Sequence, residues 1–243
     1  MSDQFKSIAF TAVVALVCSL LLTAAATGLK ERKRRNVALD RQKNILQAVG
    51  LISSGESLQP DRIERLYREN IRCYGLAGTG EIVAGDPEGG DLPVCFHVAE
   101  GRPAAYIIPV DSRGLWGKIH GYMAIENDGR TVAGFSVYSH NETPGLGGEI
   151  EKPWFRENFV GKRIVDQAGE FTGVAVAKGK VADTVSEERR DNYVDGISGA
   201  TLTGKYLTGG LRDVLQEYEP LARRFRAGDV RLPSGGEKGD PTS

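Results

Sequence analysis

Two runs of alternating apolar and polar residues, KIHGYMAI at residues 118–125 and TVAGFSVY at residues 131–138, flank the tripeptide NDG at residues 127–129. Alternation with a period of two is typical of a strand with one buried face. An Asp-Gly turn between two such runs is a strong signal for a β-hairpin. Shorter strand candidates, bounded by Gly, Pro and Asp, lie at residues 81–84, 94–98, 105–110, 171–177 and 180–184.

Helical patterns lie on either side of this strand-rich region. Residues 36–50 and a segment from about Pro60 favour helices before it. The last long helix is indicated by apolar side chains at the spacing of one helical face, namely Leu207, Leu211, Val214, Leu215 and Tyr218. Since strands and helices do not alternate regularly, the sequence predicts an α+β fold with a mainly antiparallel sheet flanked by helices, rather than a doubly wound fold.

The amino-terminal segment predicts a membrane anchor. Residues 7–29 carry no charge and are largely apolar, and about 20 such residues are enough to cross a bilayer as a helix. The competing interpretation is a secretory signal peptide, with Lys6 before the apolar run and the alanines at 24–26 as a cleavage site. The run is longer than the usual apolar part of a signal peptide, so we expect an uncleaved transmembrane helix.

These patterns divide the chain into five segments. Residues 1–6 form a short tip, 7–29 the transmembrane helix and 30–50 a membrane-proximal helix or linker. Residues 51–226 form the folded domain. Residues 227–243 are rich in Gly, Pro and Ser and are predicted to be disordered.

The composition excludes several functions. The 31 basic and 32 acidic residues nearly balance, and no basic aromatic-rich patch points to nucleic acid. The three histidines and the three cysteines show no metal-ligand spacing, so no metal site is predicted. Cys73 and Cys95 could pair in an oxidising compartment, but two separate thiols are the preferred interpretation.

The stretch DGISGATLT at residues 195–203 lies where the last helix is predicted to begin. Ser198 is a candidate N-cap, which would place Thr201 in the first helical turn. The free N–H groups and positive dipole end of such a turn suit a phosphate. A simple capping role is the alternative, because short Ser, Gly and Thr helix starts are common.

A second candidate stretch, ETPGLGG at residues 142–148, follows the hairpin. It indicates either a turn-rich connector or a loop whose glycines let the backbone approach a flat ligand, with Glu142 and Thr143 offering hydrogen bonds. Neither a G-x-G-x-x-G motif after a strand nor a P-loop is present.

Together these motifs resemble those of a known family. DGISGAT resembles the flavinylation motif of proteins that carry FMN on a threonine through a phosphoester. ETPGLG followed by SGAT, with GLWG at residues 114–117 and the apolar anchor, closely resembles the C subunit of the sodium-translocating NADH:quinone oxidoreductase (Nqr). The related G subunit of the Rnf electron-transport complex is the nearest alternative, and GLWG favours the Nqr family.

The resemblance implies an electron-carrying subunit with one FMN, attached to Thr201 by a separate flavin transferase. Ser198, Gly199 and Ala200 would line the phosphate and ribityl chain. Residues expected near the flavin ring are Glu142, Thr143, Gly145, Leu146 and, unless it is a core indole, Trp116. No residue of this chain would be catalytic on its own, and Thr203 is the rival hydroxyl for attachment.

The resemblance also implies partners and a location. The partners would be the other Nqr subunits, and this chain would bind neither NADH nor quinone directly. It would cross the bacterial inner membrane once with the flavin domain in the periplasm. Five basic residues within positions 30–35 follow the span, so the positive-inside rule predicts the opposite orientation. A membrane-anchored module without flavin and a protein that binds FMN noncovalently remain further alternatives.

Overall fold

One long helix, α1, begins the chain. The computed structural model describes residues 3–53, 55–85 and 91–233. In it α1 spans Asp3–Ala48, and the structure divides into two compact units between Leu39 and Asp40, within this helix. The sequence predicted that the folded domain begins after residue 50, which is later in the chain than this division.

The first part of α1 is apolar and exposed. Among the described residues, this is the one helix that is long and apolar enough to cross a membrane. Its exposed side chains include Phe10, Leu16 and Leu22, each more than 60% accessible. Such a surface matches the solvent that a bilayer provides, and the predicted anchor at residues 7–29 lies within it.

The end of α1 belongs to the second unit and packs on its sheet. Ile45, Leu46 and Ala48 are buried. The hydroxyl of Ser136 donates a hydrogen bond of 3.0 Å to the carbonyl oxygen of Asn44. Residues 44–48, which the sequence assigned to a membrane-proximal helix or linker, are therefore part of the core of the folded domain.

The second unit is built on a six-stranded antiparallel sheet. Its strands are β1 (Ile71–Leu76), β2 (Ile82–Val83), β3 (Leu92–Ala99), β4 (Arg102–Arg113), β5 (Lys118–Glu126) and β6 (Val132–Ser139). They lie in the order β2-β1-β3-β4-β5-β6, and each pairs antiparallel with its neighbour. Helix α2 (Pro60–Asn70) leads directly into β1. The predicted α+β fold, mainly antiparallel sheet and hairpin at residues 118–138 are confirmed.

The segment after β6 has little regular structure. It contains a 3₁₀ helix (Gly147–Glu151), α3 (Pro153–Glu157), β7 (Ala175–Val176), α4 (Val181–Thr184), a second 3₁₀ helix (Glu187–Asn192) and β8 (Tyr193–Val194). β7 and β8 pair in parallel as a separate small sheet. The prediction of a strand at residues 180–184 is wrong. The N–H groups of Asp183 and Thr184 bond back to the carbonyl of Lys180 and close a helical turn instead.

Two helices complete the domain, α5 (Thr201–Glu217) and α6 (Glu219–Arg226). Leu207, Leu211 and Leu215 of α5 are buried against the sheet, as the predicted apolar face requires. Beyond α6, Val230 and Leu232 are partly buried against the same core. Residues 234–243, the rest of the predicted disordered tail, lie outside the described residues.

Cys73 and Cys95 form a disulfide, so the prediction of two separate thiols is wrong. The two residues lie directly opposite each other on β1 and β3, with their Cα atoms 4.0 Å apart. That proximity comes from the pairing of strands about 20 residues apart in sequence, which the spacing of cysteines alone does not reveal.

Candidate functional site

The motif at residues 195–203 forms a tight turn followed by the start of α5. Gly199 has a φ of +75°, a conformation that glycine adopts without strain. The N–H of Ala200 closes the turn on the carbonyl of Ile197 at 3.1 Å. Ala200 is therefore the N-cap, and the prediction that Ser198 caps the helix is wrong, because the turn delays the helix by two residues. Thr201 is the first helical residue.

The two threonines of the motif face opposite ways. Thr201 is exposed, whereas Thr203 is 1% exposed. Consecutive helical residues are about 100° apart, so residues two apart lie on nearly opposite sides of a helix. The sequence carried a signal for this arrangement that the prediction missed, because Thr203 extends the buried series Leu207, Leu211 and Leu215 backwards by one step of four.

A buried carboxylate holds the inward threonine. Glu142, 5% exposed, accepts a hydrogen bond of 2.5 Å from the hydroxyl of Thr203 through Oε2. Its Oε1 accepts a bond of 2.9 Å from the backbone N–H of Trp116. The structure therefore brings together the two predicted motifs and the GLWG segment, but the Glu142 side chain points inward rather than to the surface.

The rest of the loop at residues 142–148 is at the surface. Thr143, Gly145 and Leu146 are exposed, and the carbonyl of Thr143 accepts hydrogen bonds from the N–H groups of Leu146 and Gly148. Leu146 lies against the motif turn, since a Cβ at position 199 would stand 2.8 Å from its Cδ2. The loop and the start of α5 thus form one continuous surface.

Trp116 lies in the tight connection between β4 and β5. The N–H of Gly114 bonds to the carbonyl of Gly117 at 2.6 Å, which turns the side chains of Leu115 and Trp116 outward. Trp116 is 68% exposed, so its interpretation as a core indole is wrong. An exposed indole offers a flat apolar face to a ligand or partner.

Asp195 organises the segment before the motif turn. Its Oδ1 accepts a hydrogen bond of 2.7 Å from the N–H of Val181, the first residue of α4. The next residue, Gly196, donates its N–H to the carbonyl of Gly179. The Asp-Gly pair at the start of the motif therefore joins it to residues 177–181.

His140 supports the loop from the other side. Its Nδ1 accepts the backbone N–H of Glu142 at 3.1 Å, which leaves Nε2 to face the carboxylate of Glu151 at 3.3 Å. Slight burial raises the pKa of Glu151, but hydrogen bonds from Lys152 and His140 outweigh it, so the net pKa lies below its ordinary value. The imidazole ring of His140 thus connects the main chain of Glu142 to the 3₁₀ helix Gly147–Glu151.

An open cleft of about 750 Å³ lies beside the carboxyl-terminal half of α5. It is bounded by the connection at residues 113–118, by Leu92 and Pro93, and by α5 residues from Asp213 onwards. Thr201 does not line it, because a rise of about 1.5 Å per residue places Asp213 roughly 18 Å further along the helix. Trp116 is the predicted site residue on its border. Within the described ranges, no group of three or more His, Cys, Asp or Glu residues could hold a metal ion.

Comparison with known proteins points to the same segments of the chain. The FMN-binding domain family matches residues 114–216, a range that contains Trp116, the loop at 142–148 and the motif at 195–203. The class of protein is therefore an FMN-binding domain that follows a single long apolar helix.

Curated relatives narrow the class further. The chain is 30% identical, over an alignment of 258 positions, to the C subunit of the Na⁺-translocating NADH-quinone reductase of Yersinia pestis. The alignment covers 93% of this chain and 94% of that protein. It is 33% identical over 224 residues to the C subunit of the Pseudomonas aeruginosa reductase, covering 79% and 84%. A solved structure of the C subunit from Parabacteroides distasonis aligns with a TM-score of 0.69 and 31% identity, covering 80% of this chain and 96% of that one. The chain belongs to the family of C subunits of the Na⁺-translocating NADH-quinone reductase. These relatives favour the Nqr family over the Rnf family.

Proposed function

We propose that this chain is the electron-carrying C subunit of a Na⁺-translocating NADH:quinone reductase and holds FMN through a phosphoester to Thr201. The observation that carries the proposal is that Thr201 is exposed at the first position of α5, within the matched FMN-binding domain. The rival hydroxyl, Thr203, is buried and bonded to Glu142. Of the two threonines, only Thr201 is accessible to a flavin transferase.

The residues around Thr201 fit a phosphate. The amide groups of the first turn of α5 lack partners within the helix, and its positive dipole end favours an anion. Gly199 has no side chain, and Ser198 adds an exposed hydroxyl beside it. We infer that Ser198, Gly199 and Ala200 line the phosphate and ribityl chain.

The surface next to the turn fits an aromatic ring. Trp116, in the connection between β4 and β5, is 68% exposed. In the loop at residues 142–148, Leu146 is 43% exposed, and Thr143 and Gly145 are exposed as well. We infer that these four residues contact the flavin ring and shield it from water. Bound FMN supplies the reversible uptake and release of electrons, and the protein supplies position and environment.

Two further inferences concern partners. The relatives are named as subunits of a larger reductase, so other subunits are the proposed electron donor and acceptor, and neither NADH nor quinone is proposed to bind this chain. Residues 7–29 contain no Asp, Glu, Lys, Arg or His, the side chains that mark an ion path through a membrane. Sodium would accordingly move through other subunits.

The folded domain is proposed to lie in the periplasm. The disulfide between Cys73 and Cys95 supports this location, because disulfides persist in oxidising compartments and are rare in the cytosol. The basic residues at positions 30–35 favour the opposite side. An alkaline phosphatase reporter fused to the carboxyl terminus would be active if the domain is periplasmic, and inactive if the charge rule decides the topology.

The attachment is tested by intact-mass analysis of denatured protein, purified from membranes of cells that contain the flavin transferase. We expect a flavin-phosphate adduct on the wild type and on Thr201→Ser, which keeps the hydroxyl, and none on Thr201→Ala. An adduct that persists in Thr201→Ala would place the bond elsewhere. If the native wild type is yellow but shows no adduct after denaturation, the FMN is noncovalent. If the native wild type is colourless, the chain is a membrane-anchored module without flavin.

A further inference from the structure

Three segments far apart in sequence meet at the side chain of Glu142. Its carboxylate is bonded to the N–H of Trp116, 26 residues earlier, and to the hydroxyl of Thr203, 61 residues later. Because the loop at residues 142–148 follows β6, this one side chain joins two loops and the first turn of α5.

The space around the carboxylate is shaped by two glycines. A Cβ at position 114 would lie 2.5 Å from Oε1, and a Cβ at position 147 would lie 2.5 Å from Oε2. Any other residue at either position would push the carboxylate out of its place. A Cβ at position 147 would also meet the hydroxyl of Thr203 at 2.6 Å, so this glycine leaves room for both partners of the hydrogen bond.

The bond to Thr203 fixes the rotation of the helix start. Thr203 is held inward at the first turn of α5, and Thr201, two residues earlier, consequently points outward. Without the bond, a buried hydroxyl would lack a partner, which favours fraying or rotation of that turn. The other oxygen fixes the main chain of Trp116, and with it the direction of the exposed indole.

We propose that Glu142 is a positioning residue for the flavin: its carboxylate sets the outward direction of Thr201 and the place of Trp116 relative to it. This inference rests on the proposed attachment of FMN at Thr201. Both carboxylate oxygens of Glu142 accept hydrogen bonds from within the protein. Glu142 therefore acts on the flavin through the positions of Thr201 and Trp116, and not by direct contact with the ring.

The test uses the full chain, purified from membranes that contain the flavin transferase. The variants are Glu142→Ala, which removes both hydrogen bonds, Thr203→Val, which removes one without changing the size of the side chain, and Glu142→Gln. Gln keeps an oxygen for Trp116 and an amide that can donate to the Thr203 hydroxyl. Glu149→Gln is the matched control, because it changes a carboxylate close to the same loop that bonds only at the surface, to Trp154.

Two readouts report on positioning. The first is the rate of flavin attachment by intact mass, which we expect to fall about tenfold in Glu142→Ala and Thr203→Val, a modest effect for a misplaced reacting group. The second is the visible circular dichroism and the midpoint potential of the attached flavin, which should shift in the same two variants. Glu142→Gln and Glu149→Gln should resemble the wild type in both readouts.

A third readout does not need the flavin. In a Thr201→Ala background, hydrogen exchange at the amide of Trp116 should be faster in Glu142→Ala than in Glu142→Gln. The unfolding midpoint of each variant shows whether it is folded, and if Glu142→Ala is not, Thr203→Val and Glu142→Gln decide the question.

Normal attachment, dichroism and potential in Thr203→Val and Glu142→Ala would overturn the inference and leave the proposed function intact. An equal loss in Glu142→Gln and Glu142→Ala would also overturn it, since the charge and not the hydrogen bonds would then matter. A wild type without flavin would instead contradict the proposed function itself.

Discussion

Cys73 of β1 and Cys95 of β3 face each other across the sheet and are covalently joined. The link closes a loop that contains the short strand β2. A cross-link of this kind stabilises a fold mainly by restricting the unfolded chain.

Replacement of both cysteines by serine should therefore lower the free energy of unfolding by about 3 kcal/mol, the value expected for a loop of this length. Urea unfolding of the full chain in detergent measures the change. Cys18→Ser is the control, because Cys18 is an exposed free cysteine in the apolar helix and should have no effect on the folded domain. An unchanged midpoint in the double variant would mean that the cross-link contributes nothing to stability.

Two adjacent glycines in α5 should respond oppositely to alanine. A Cβ at Gly210 would collide with the side chain of Ser112 on β4, whereas a Cβ at Gly209 would meet nothing within 4 Å. Gly210→Ala should destabilise the domain by about 1–3 kcal/mol through overpacking. Gly209→Ala should stabilise it by up to about 1 kcal/mol, because alanine favours a helix. Equal effects in thermal unfolding would show that α5 does not lie against β4 at this point.

The turn of the β5–β6 hairpin should make stability depend on acidic pH. Burial alone would raise the pKa of Asp128, but hydrogen bonds from the hydroxyl and N–H of Thr131 and from the N–H of Arg130 outweigh it, so the pKa is lowered. A carboxyl whose folded pKa is lowered stabilises the fold above its unfolded pKa of about 3.9. That stabilisation is lost as the pH falls through the folded value.

Asp128→Asn should lower stability at pH 7 by about 1–2 kcal/mol, since it removes the charge from these hydrogen bonds. It should also flatten the dependence of stability on pH below about pH 4. Urea unfolding of both proteins between about pH 3 and pH 7 gives the two slopes. Parallel slopes would contradict the assigned role of the carboxylate.

Two aromatic side chains near the candidate site should differ sharply in their contribution to stability. Trp116 is 68% exposed and Phe155 is 0% exposed. Trp116→Ala should change the free energy of unfolding by less than about 0.5 kcal/mol, as surface substitutions do. Phe155→Ala should cost about 3–5 kcal/mol, because it leaves a cavity in the core. A large loss of stability in Trp116→Ala would indicate that the indole packs inside the domain.

Much of the fold was readable in the sequence because its signals are local. The hairpin at residues 118–138 follows from alternation and an Asp-Gly turn, and α5 follows from its apolar stripe. β1 was missed, and residues 180–184 were assigned to a strand that does not form. β1 depends on its pairing with β3 elsewhere in the chain, and a short apolar run does not specify its neighbour. Residues 180–184 instead close a local helical turn on the carbonyl of Lys180.

The candidate site shows the same division. From the sequence one can predict the apolar anchor, the strand-rich domain and the two motifs, since each depends on composition or on residues close together in the chain. The structure was needed to show that Cys73 meets Cys95 and that Glu142 turns inward to Thr203 and Trp116. Those outcomes depend on contacts between segments more than 20 residues apart, whose geometry is set by the packing of the whole sheet against α5.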